Sequence, residues 1–207
     1  MESVRAAMSS QLENIEVSYQ VLGFEYDHVL TLGKRAQLSF HQESKQDQIH
    51  SRNFSIHSTD RGGLITLHNI GQLVIYPILP LKTLGFGVRD YLRILCSATE
   101  NFLKQSYQIS CTWDMDHPDG IFVKNQKVAF IGIRVIQGVT KHGIALNLWN
   151  NVSEFNLFTP CGQKALEIVN LQSICKEINK PISTSDMPFI FDEWCAHLAR
   201  ALNRKTF

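Results

Sequence analysis

The chain has 207 residues, 44% of them hydrophobic, with 20 basic and 19 acidic residues and a net charge of +1. This length predicts a single domain over residues 1–207 with a substantial hydrophobic core. The balanced charge argues against a nucleic-acid or anionic-membrane binder, and no apolar run approaches the roughly 20 residues of a membrane span.

The N-terminal segment and the cysteines indicate the compartment. The first twenty residues, "MESVRAAMSSQLENIEVSYQ", lack the apolar core of a signal peptide, so a cytoplasmic location is expected. The five cysteines are odd in number and widely spaced, which argues against a disulfide framework. No zinc-binding histidine motif and no glycine-rich nucleotide loop occurs, so no metal and no cofactor is predicted.

In the first half of the chain the pattern predicts strands followed by a helix. Residues 41–53 are polar and are predicted to form a surface loop. Short apolar runs bounded by glycine, proline or polar residues predict strands at 29–33, 54–58, 64–68 and 73–77. From Val88, residues at steps of three and four mark one face of a helix, namely Leu92, Leu95, Thr99, Phe102 and Leu103.

The second half predicts further strands and a C-terminal helix. The strands are expected at 107–113, 120–123, 127–135 and 139–149, and the short link "KNQ" predicts a hairpin between the second and third. Ser185 is expected to cap a helix whose face carries Ile190, Trp194, His197 or Leu198, and Leu202. Grouped strands with helices at intervals favour an α+β fold with a mixed β-sheet flanked by helices.

Cys161, in "TPCGQ", is a candidate nucleophile. It has neither the apolar surroundings of a buried cysteine nor a second cysteine nearby. A free thiol has a pKa of about 8.5, so a catalytic cysteine needs a nearby cation or base to form the thiolate. The alternative is a small buried residue in a turn, which is the commoner role of an isolated cysteine.

Three other positions are candidates with ordinary alternatives. In "RGGLITLH", two glycines beside Arg61 can present backbone N–H groups to an anion or a thioester carbonyl, or they can form a plain turn with an exposed arginine. Lys127 opens a strand, where a lysine is usually solvated but is also able to activate a neighbouring thiol. His142 precedes a glycine in an apolar strand, and its role is equally open.

The order of these segments resembles a known family. "RGGLITLHNIGQLVIYPIL", "KVAFIGIRVIQGVTKHGIALNL" and "PCG" follow one another as in the octanoyltransferase family, also called lipoate-protein ligase B. That family's pattern runs R-G-G-x-x-T-x-H-G-P-G-Q-L-x-x-Y-P-I-L, then K-I-A-x-x-G-x-R, H-G-x-A-L-N and P-C-G. The resemblance extends over residues 20–200.

The resemblance implies a fold and a reaction. The family has the biotin and lipoate protein ligase fold, an α/β domain with a mixed sheet flanked by helices. Its members move an octanoyl group from octanoyl-acyl carrier protein to a lysine on the lipoyl domains of 2-oxoacid dehydrogenases and the glycine-cleavage H protein. This acyltransferase reaction is the first step of lipoate biosynthesis. Because the transfer of an acyl group from a thioester to an amine is energetically favourable, the reaction needs no ATP. A monomeric protein is also expected.

The resemblance also implies site residues. Cys161 corresponds to the cysteine that carries the acyl-thioester, and Lys127 to the lysine that lowers the pKa of that thiol and handles protons. His142 is a possible supporting residue. The remaining residues of the matched motifs are expected to bind substrate: Arg61, Gly62, Gly63, Leu64, Ile65, Thr66, Leu67, His68, Phe130, Ile131, Gly132, Gly143, Ile144 and Ala145.

The chain departs from the family pattern in the turn after His68, and several alternative functions remain. Asn69 and Ile70 stand where the family has glycine and proline, and Asn69 is expected to replace the glycine because asparagine tolerates positive φ. An octanoyl amidotransferase acting between lipoyl-domain proteins, a non-catalytic acyl- or lipoyl-domain binder and an ATP-dependent lipoate ligase remain as alternatives. Basic residues that are candidates for docking an acidic carrier are Lys34, Arg35, Arg89, Arg93, Lys124, Lys141 and Lys164.

Overall fold

A computed structural model describes residues 4–14, 17–36, 54–116, 119–157 and 167–203, with side chains from Tyr19 onward. Three features of the sequence fall outside the described residues: the predicted surface loop 41–53, the segment that contains Cys161, and Lys164.

The described elements come in groups: six strands, two helices, three strands and then the C-terminal helices. The strands are β1 (Val4–Asn14), β2 (Val17–Tyr26), β3 (Val29–Leu32), β4 (Ser55–Ser58), β5 (Ile65–His68), β6 (Gln72–Ile78), β7 (Gly120–Val123), β8 (Gln126–Ile136) and β9 (Val139–Asn147). The α-helices are α1 (Leu81–Leu84), α2 (Val88–Tyr107), α3 (Leu171–Glu177) and α4 (Met187–Asn203). In the described part of the chain, 3₁₀ helices span Val152–Leu157 and Thr184–Asp186.

The strands of the described residues form two sheets. The larger has the order β1-β2-β6-β9-β8-β7, with every neighbouring pair antiparallel. The smaller has the order β4-β3-β5, in which β3 is parallel to β4 and antiparallel to β5. Helices flank the larger sheet through their buried faces. The fold class expected from the sequence, mixed β-structure flanked by helices, is therefore confirmed.

The larger sheet is covered on both faces because its side chains alternate. Leu73 and Ile75 of β6 join the large core that contains Trp194 of α4 and the buried face of α2. The two helices are also joined by a hydrogen bond from Trp194 Nε1 to Thr99 Oγ1 at 3.0 Å. Val74, between the two, joins a second cluster formed with the smaller sheet. The cavity described below opens on this second face.

Several local predictions hold and others are wrong. The hairpin is confirmed: β7 and β8 are linked by a turn in which Lys124 and Asn125 have φ of 49° and 67°. The strand predicted at 107–113 is wrong, because α2 extends to Tyr107 and only Thr112 makes a bridge, to Phe122.

The predicted helix boundaries need two further corrections. Ser183, not Ser185, caps the chain at this end: it precedes a 3₁₀ helix, and α4 begins only at Met187. On α2, Val88 is 49% exposed and Leu92 is half-buried, so the buried face is centred on Tyr91, Leu95 and Phe102. No helix in the described ranges is long and apolar enough to cross a membrane.

Candidate active site

A cavity of about 230 Å³ lies between the smaller sheet and strands β6, β9 and β8 of the larger one. Much of its wall is apolar, and the apolar residues come from both sheets: Leu64, Ile65, Val74, Tyr76, Phe130, Ile131, Ile144 and Ala145. The polar and charged residues of the wall are few and specific, which is typical of a site for a largely apolar ligand.

Arg61 organises the loop at one edge of the cavity. Its side chain is buried, and its guanidinium donates to Thr31 Oγ1 at 2.8 and 3.1 Å, to the Thr31 carbonyl at 2.7 Å and to the Leu64 carbonyl at 2.8 Å. The expectation of an exposed arginine in a plain turn is therefore wrong. The N–H of Gly62 donates to the carbonyl of Ile133 at 3.1 Å, so the backbone at Gly62 holds the loop against β8.

Lys127 lies at the start of β8 and its side chain is completely buried. Its Nζ is 2.8 Å from Asp119 Oδ2 and lies 4.9 Å from the ring centre of Phe130 and 5.4 Å from that of Phe122. A β-carbon at Gly120 would collide with the Lys127 Cε, so the glycine leaves room for the lysine stem. The interpretation of Lys127 as a solvated gatekeeper is wrong.

The backbone of Lys127 is paired with the chain that follows the Cys161 segment. Its N–H donates to the Glu167 carbonyl at 2.8 Å, and its carbonyl accepts from the Val169 N–H at 3.1 Å. The result is a parallel bridge between Lys127 and Ile168. Cys161 itself lies outside the described residues.

A chain of hydrogen bonds fixes the tautomer of His68. The carbonyl of Val169 can only accept, so Asn147 directs its Nδ2 there (3.1 Å) and its Oδ1 accepts from Gln72 Nε2 at 2.9 Å. Gln72 Oε1 therefore accepts from His68 Nδ1–H, at 2.7 Å. Burial lowers the pKa of His68 to about 4, so the ring is neutral near pH 7 and its Nε2 is left as an acceptor on the cavity wall.

Next to His68, Thr66 also contributes a polar atom to the wall. Thr66 Oγ1 is buried and has no hydrogen-bond partner within the described part of the chain. An unpaired buried hydroxyl is costly, and it suggests a position where a ligand atom completes the hydrogen bonding.

His142 is held in a strained backbone conformation beside the Arg61 loop. Its φ is 60°, an uncommon value for a residue other than glycine, although histidine is enriched among the exceptions. Its Nε2 lies 2.7 Å from Asp60 Oδ1, and Lys141 Nζ lies 3.0 Å from Asp60 Oδ2. The hydrogen bond from His142, with that from Lys141, holds the pKa of Asp60 well below its usual value. Strain of this kind is concentrated at functional sites.

The turn between β5 and β6 departs from the expectation for Asn69. Asn69 does not have positive φ, whereas Gly71 does, at 91°, and Gln72 N donates to the Asn69 carbonyl at 3.0 Å. Positive φ at the third residue of the turn is typical of type II. The Asn69 side chain is buried and bonds to Glu154 Oε2 at 2.9 Å and to Asn150 Nδ2 at 3.0 Å. It therefore joins this turn to the 3₁₀ helix Val152–Leu157.

Most of the site residues predicted from the sequence line the cavity. Those on the wall are Arg61, Gly63, Leu64, Ile65, Thr66, His68, Phe130, Ile131, Gly132, His142, Gly143, Ile144 and Ala145. Leu67 does not line it and is completely buried in the second cluster. Gly62 and Lys127 lie just behind the wall, and Lys127 reaches it through Asp119.

Sequence reasoning missed six wall residues: Thr31, Arg35, Thr59, Val74, Tyr76 and Asp119. The period-two alternation of β6 was the available signal for Val74 and Tyr76. Asp119 had no signal, because its importance depends on a contact with a residue across a hairpin.

The described cysteines are poor candidates for a nucleophile. Burial raises the pKa of Cys96 and of Cys111 to about 12, and that of Cys175 to about 11. A thiolate is strongly disfavoured at these positions near pH 7. Within the described residues, no group of three or more histidine, cysteine or acidic side chains is arranged to hold a metal ion.

Comparisons with known proteins place the chain in a family. A sequence model described as the lipoyl protein ligase A/B catalytic domain matches residues 6–188. An octanoyltransferase of Shewanella halifaxensis is 33% identical over 183 residues, covering 87% of this chain and 77% of the relative. An octanoyltransferase of Xylella fastidiosa is 35% identical over 152 residues, covering 71% of this chain and 60% of the relative.

The solved structures show the same architecture. The bipartite lipoate protein ligase of Thermoplasma acidophilum matches with a TM-score of 0.66 at 10% identity, over 87% of this chain and 69% of that chain. At this identity the similarity shows the fold alone.

Proposed function

Because the chain belongs to the lipoyl protein ligase A/B catalytic domain family, we propose that it is an octanoyltransferase that uses Cys161 as its nucleophile. The donor is octanoyl-acyl carrier protein, and the acceptor is a lysine on a lipoyl domain. The single observation that carries the proposal is the completely buried side chain of Lys127 at the edge of an apolar cavity.

The shape and lining of the cavity support an acyl substrate. Its apolar wall suits an alkyl chain, and Gly132 and Gly143, paired across β8 and β9, keep this part of the wall free of side chains. The Thr66 hydroxyl, which has no partner among the described residues, is available to donate to the carbonyl oxygen of the acyl group.

Chain connectivity supports the pairing of Cys161 with Lys127. Glu167, which is hydrogen-bonded to the backbone of Lys127, follows Cys161 by six residues. Six residues span at most about 20 Å even when fully extended. On the other side, Phe155 stacks on Phe130, with ring centres 4.9 Å apart. Both ends of the chain that contains Cys161 are thus anchored beside the lysine.

The reaction then proceeds in two steps, acylation of Cys161 and transfer of the acyl group to the acceptor lysine. The Cys161 thiolate attacks the acyl carbon of the donor thioester, the carbon–sulfur bond to the phosphopantetheine arm breaks, and that thiol leaves with a proton. The neutral amine of the acceptor lysine then attacks the acyl-enzyme, the amide bond forms and the Cys161 thiolate departs. Lys127 stabilises the thiolate as an ammonium, gives its proton to the leaving phosphopantetheine sulfur, and then takes up the proton lost by the amine, which restores the starting pair.

Intact-protein mass spectrometry tests the proposal. The protein is mixed with octanoyl-acyl carrier protein, as wild type and as Cys161→Ala. We expect the wild type to gain one octanoyl group that hydroxylamine removes, and the variant to gain none. Addition of a lipoyl domain is then expected to discharge the group onto a lysine. The absence of any adduct on folded wild-type protein, with no octanoylated lipoyl domain formed either, would contradict it.

The same experiment separates the alternatives. Transfer from octanoylated H protein but not from the carrier protein would identify an amidotransferase. Binding of octanoyl groups without a covalent adduct or product would identify a non-catalytic binder. The cytoplasmic location and the monomeric state stay predictions.

A further inference from the structure

We propose that Asp119 is a positioning residue for the acyl-transfer reaction, because its carboxylate fixes both the place and the charge of Lys127. The inference rests on the proposed function, in which Lys127 acts beside Cys161. Asp119 belongs to none of the matched motifs, and it lies in the bend directly before β7.

The side chains of Asp119 and Lys127 are in direct contact, but only that of Lys127 is fully buried. Asp119 Oδ2 lies 2.8 Å from Lys127 Nζ, the distance of a charge-assisted hydrogen bond. The lysine side chain is 0% exposed, whereas that of Asp119 is 31% exposed and lines the cavity. The carboxylate therefore stands between a buried ammonium and the space where a substrate binds.

The backbone holds Asp119 at this place. Its carbonyl accepts the N–H of Ile131 at 3.0 Å, so the bend before β7 is hydrogen-bonded to the strand that carries Lys127. Gly120, the next residue, leaves the room through which the lysine stem passes. The pair is thus assembled by the β7–β8 hairpin and does not depend on a flexible connection.

Among the described groups that face this site, Asp119 supplies the negative charge. Phe122 and Phe130 attract the ammonium through their ring faces but cannot neutralise it. The other titratable residues on the cavity wall are Arg35, Arg61, His68, Tyr76 and His142, and none of them carries a carboxylate.

A buried ammonium without a counter-charge is strongly disfavoured. Removal of the Asp119 carboxylate is therefore expected to favour the neutral amine and to free Nζ from its position. A neutral amine stabilises a neighbouring thiolate less than an ammonium does, so the thiol should become less reactive near pH 7.

The experiment measures thiol reactivity without an acyl donor. Full-length wild type, Asp119→Asn, Asp119→Glu and Lys127→Met are treated with iodoacetamide across a pH series, and alkylation of Cys161 is followed by peptide mass mapping. Asp116→Asn is the matched control, since Asp116 is in the same loop, with a side chain that is 84% exposed and 3.5 Å from Arg89. Thermal unfolding of each variant checks that it is folded.

We expect Asp119→Asn to raise the pH midpoint of Cys161 alkylation by about one unit or more. Its kcat for octanoyl transfer should fall by roughly 10- to 100-fold with little change in KM for the donor, because the change affects the reactivity of the thiol and the position of Lys127 and not the binding of the donor. Asp119→Glu should restore part of both properties, and Asp116→Asn should match the wild type.

The remaining outcomes overturn the inference. If Asp119→Asn keeps the wild-type alkylation profile while Lys127→Met changes it, Asp119 does not act through Lys127, although the proposed function stands. If Asp119→Asn and Asp119→Glu lose stability and activity equally with no change in the profile, the role of Asp119 is only structural. If Lys127→Met also leaves the profile unchanged, the role of Lys127 fails together with that of Asp119.

Discussion

The side chain of Lys127 passes Gly120 so closely that position 120 has no room for a β-carbon. We expect Gly120→Ala to displace the lysine side chain and to lower kcat for octanoyl transfer by about 100-fold, because misplacement of a catalytic group by about 1 Å has an effect of this size. Single-turnover acylation followed by mass spectrometry measures it.

Gly85→Ala is the control for this substitution. Gly85 ends α1 with φ of 75°, and a β-carbon there would contact nothing within 4 Å. Alanine should cost about 1 kcal/mol of stability because of the left-handed φ, but the activity of the folded protein should not change. Equal activity in the two alanine variants would contradict the steric role of Gly120.

Asn69→Gly restores the residue that the octanoyltransferase pattern has at this position, yet we expect it to destabilise this chain. The substitution removes the hydrogen bonds of the Asn69 side chain to Glu154 Oε2, to the Asn151 carbonyl and to Asn150 Nδ2. The free energy of unfolding should fall by roughly 1–3 kcal/mol. Urea unfolding measures the change, with Asn101→Ala as a control that should shift it by less than about 0.5 kcal/mol.

Ile70→Pro restores the next residue of the same pattern and has the opposite expected effect. Ile70 is the second residue of a turn with type II geometry, a position that proline favours. Proline should raise the free energy of unfolding by roughly 0.4–1 kcal/mol through the entropy of the unfolded chain. Gly71→Ala should instead be strongly destabilising, since its β-carbon would meet Trp149. A destabilised Ile70→Pro would show that the turn cannot accept proline.

His68 makes stability depend on pH in a predictable direction. Burial lowers its pKa to about 4 in the folded protein, against 6.5 for an exposed histidine. Between these values the unfolded state binds more protons, so the contribution is complete above pH 6.5 and is lost as the pH falls toward 4. The stability difference between wild type and His68→Asn should shrink by about 3 kcal/mol over this range.

His28 provides a control of opposite sign in the same urea series. Burial opposes its charge, but hydrogen bonds to Asp27 and Glu154 outweigh this and raise its pKa. The stabilisation that His28 contributes to the folded state is complete below pH 6.5. It is lost as the pH rises through the pKa that His28 has in the folded protein. The difference between wild type and His28→Asn should therefore shrink toward high pH. Parallel profiles for the two variants would contradict the assignment of His68.

Asp60 is expected to protect the fold down to acidic pH. The hydrogen bond from His142, together with that from Lys141, keeps its pKa well below the usual 3.8. Its contribution is therefore present above about pH 4 and is lost below it as the carboxylate protonates. Acid unfolding of Asp60→Asn should begin at higher pH than that of the wild type. Coincident acid-unfolding curves would show that the cluster contributes nothing.

The sequence predicted local elements and motif residues well, because these depend on neighbours in the chain. The strands at 64–68 and 73–77 are delimited by Gly63 and Gly71, both of which have φ of 91° in the structure. The motif includes Leu67 together with its neighbours, so the motif alone predicts Leu67 in the site. In β5, however, the side chain of Leu67 lies on the opposite face of the strand from those of Thr66 and His68.

What the sequence did not predict depends on contacts between distant segments. Nothing local indicates that the Arg61 guanidinium turns inward to Thr31, or that Asp119 meets Lys127. The tautomer of His68 is set through Gln72 and Asn147 by a carbonyl at Val169, one hundred and one residues further along the chain. Such contacts depend on tertiary packing, and the spacing of residues along the sequence does not predict them.

The alternation of side chains in the larger sheet has a practical consequence for protein engineering. Leu73 and Ile75 face the helices, whereas Val74, between them, faces the second cluster and the cavity. Leu146 and Ala145 divide in the same way. Substitutions at the odd-numbered positions of β6 would therefore mainly change the thermal stability of the protein. Substitutions at Val74 and Ala145 would mainly change the shape of the cavity. The two properties can be evolved in separate rounds from adjacent codons.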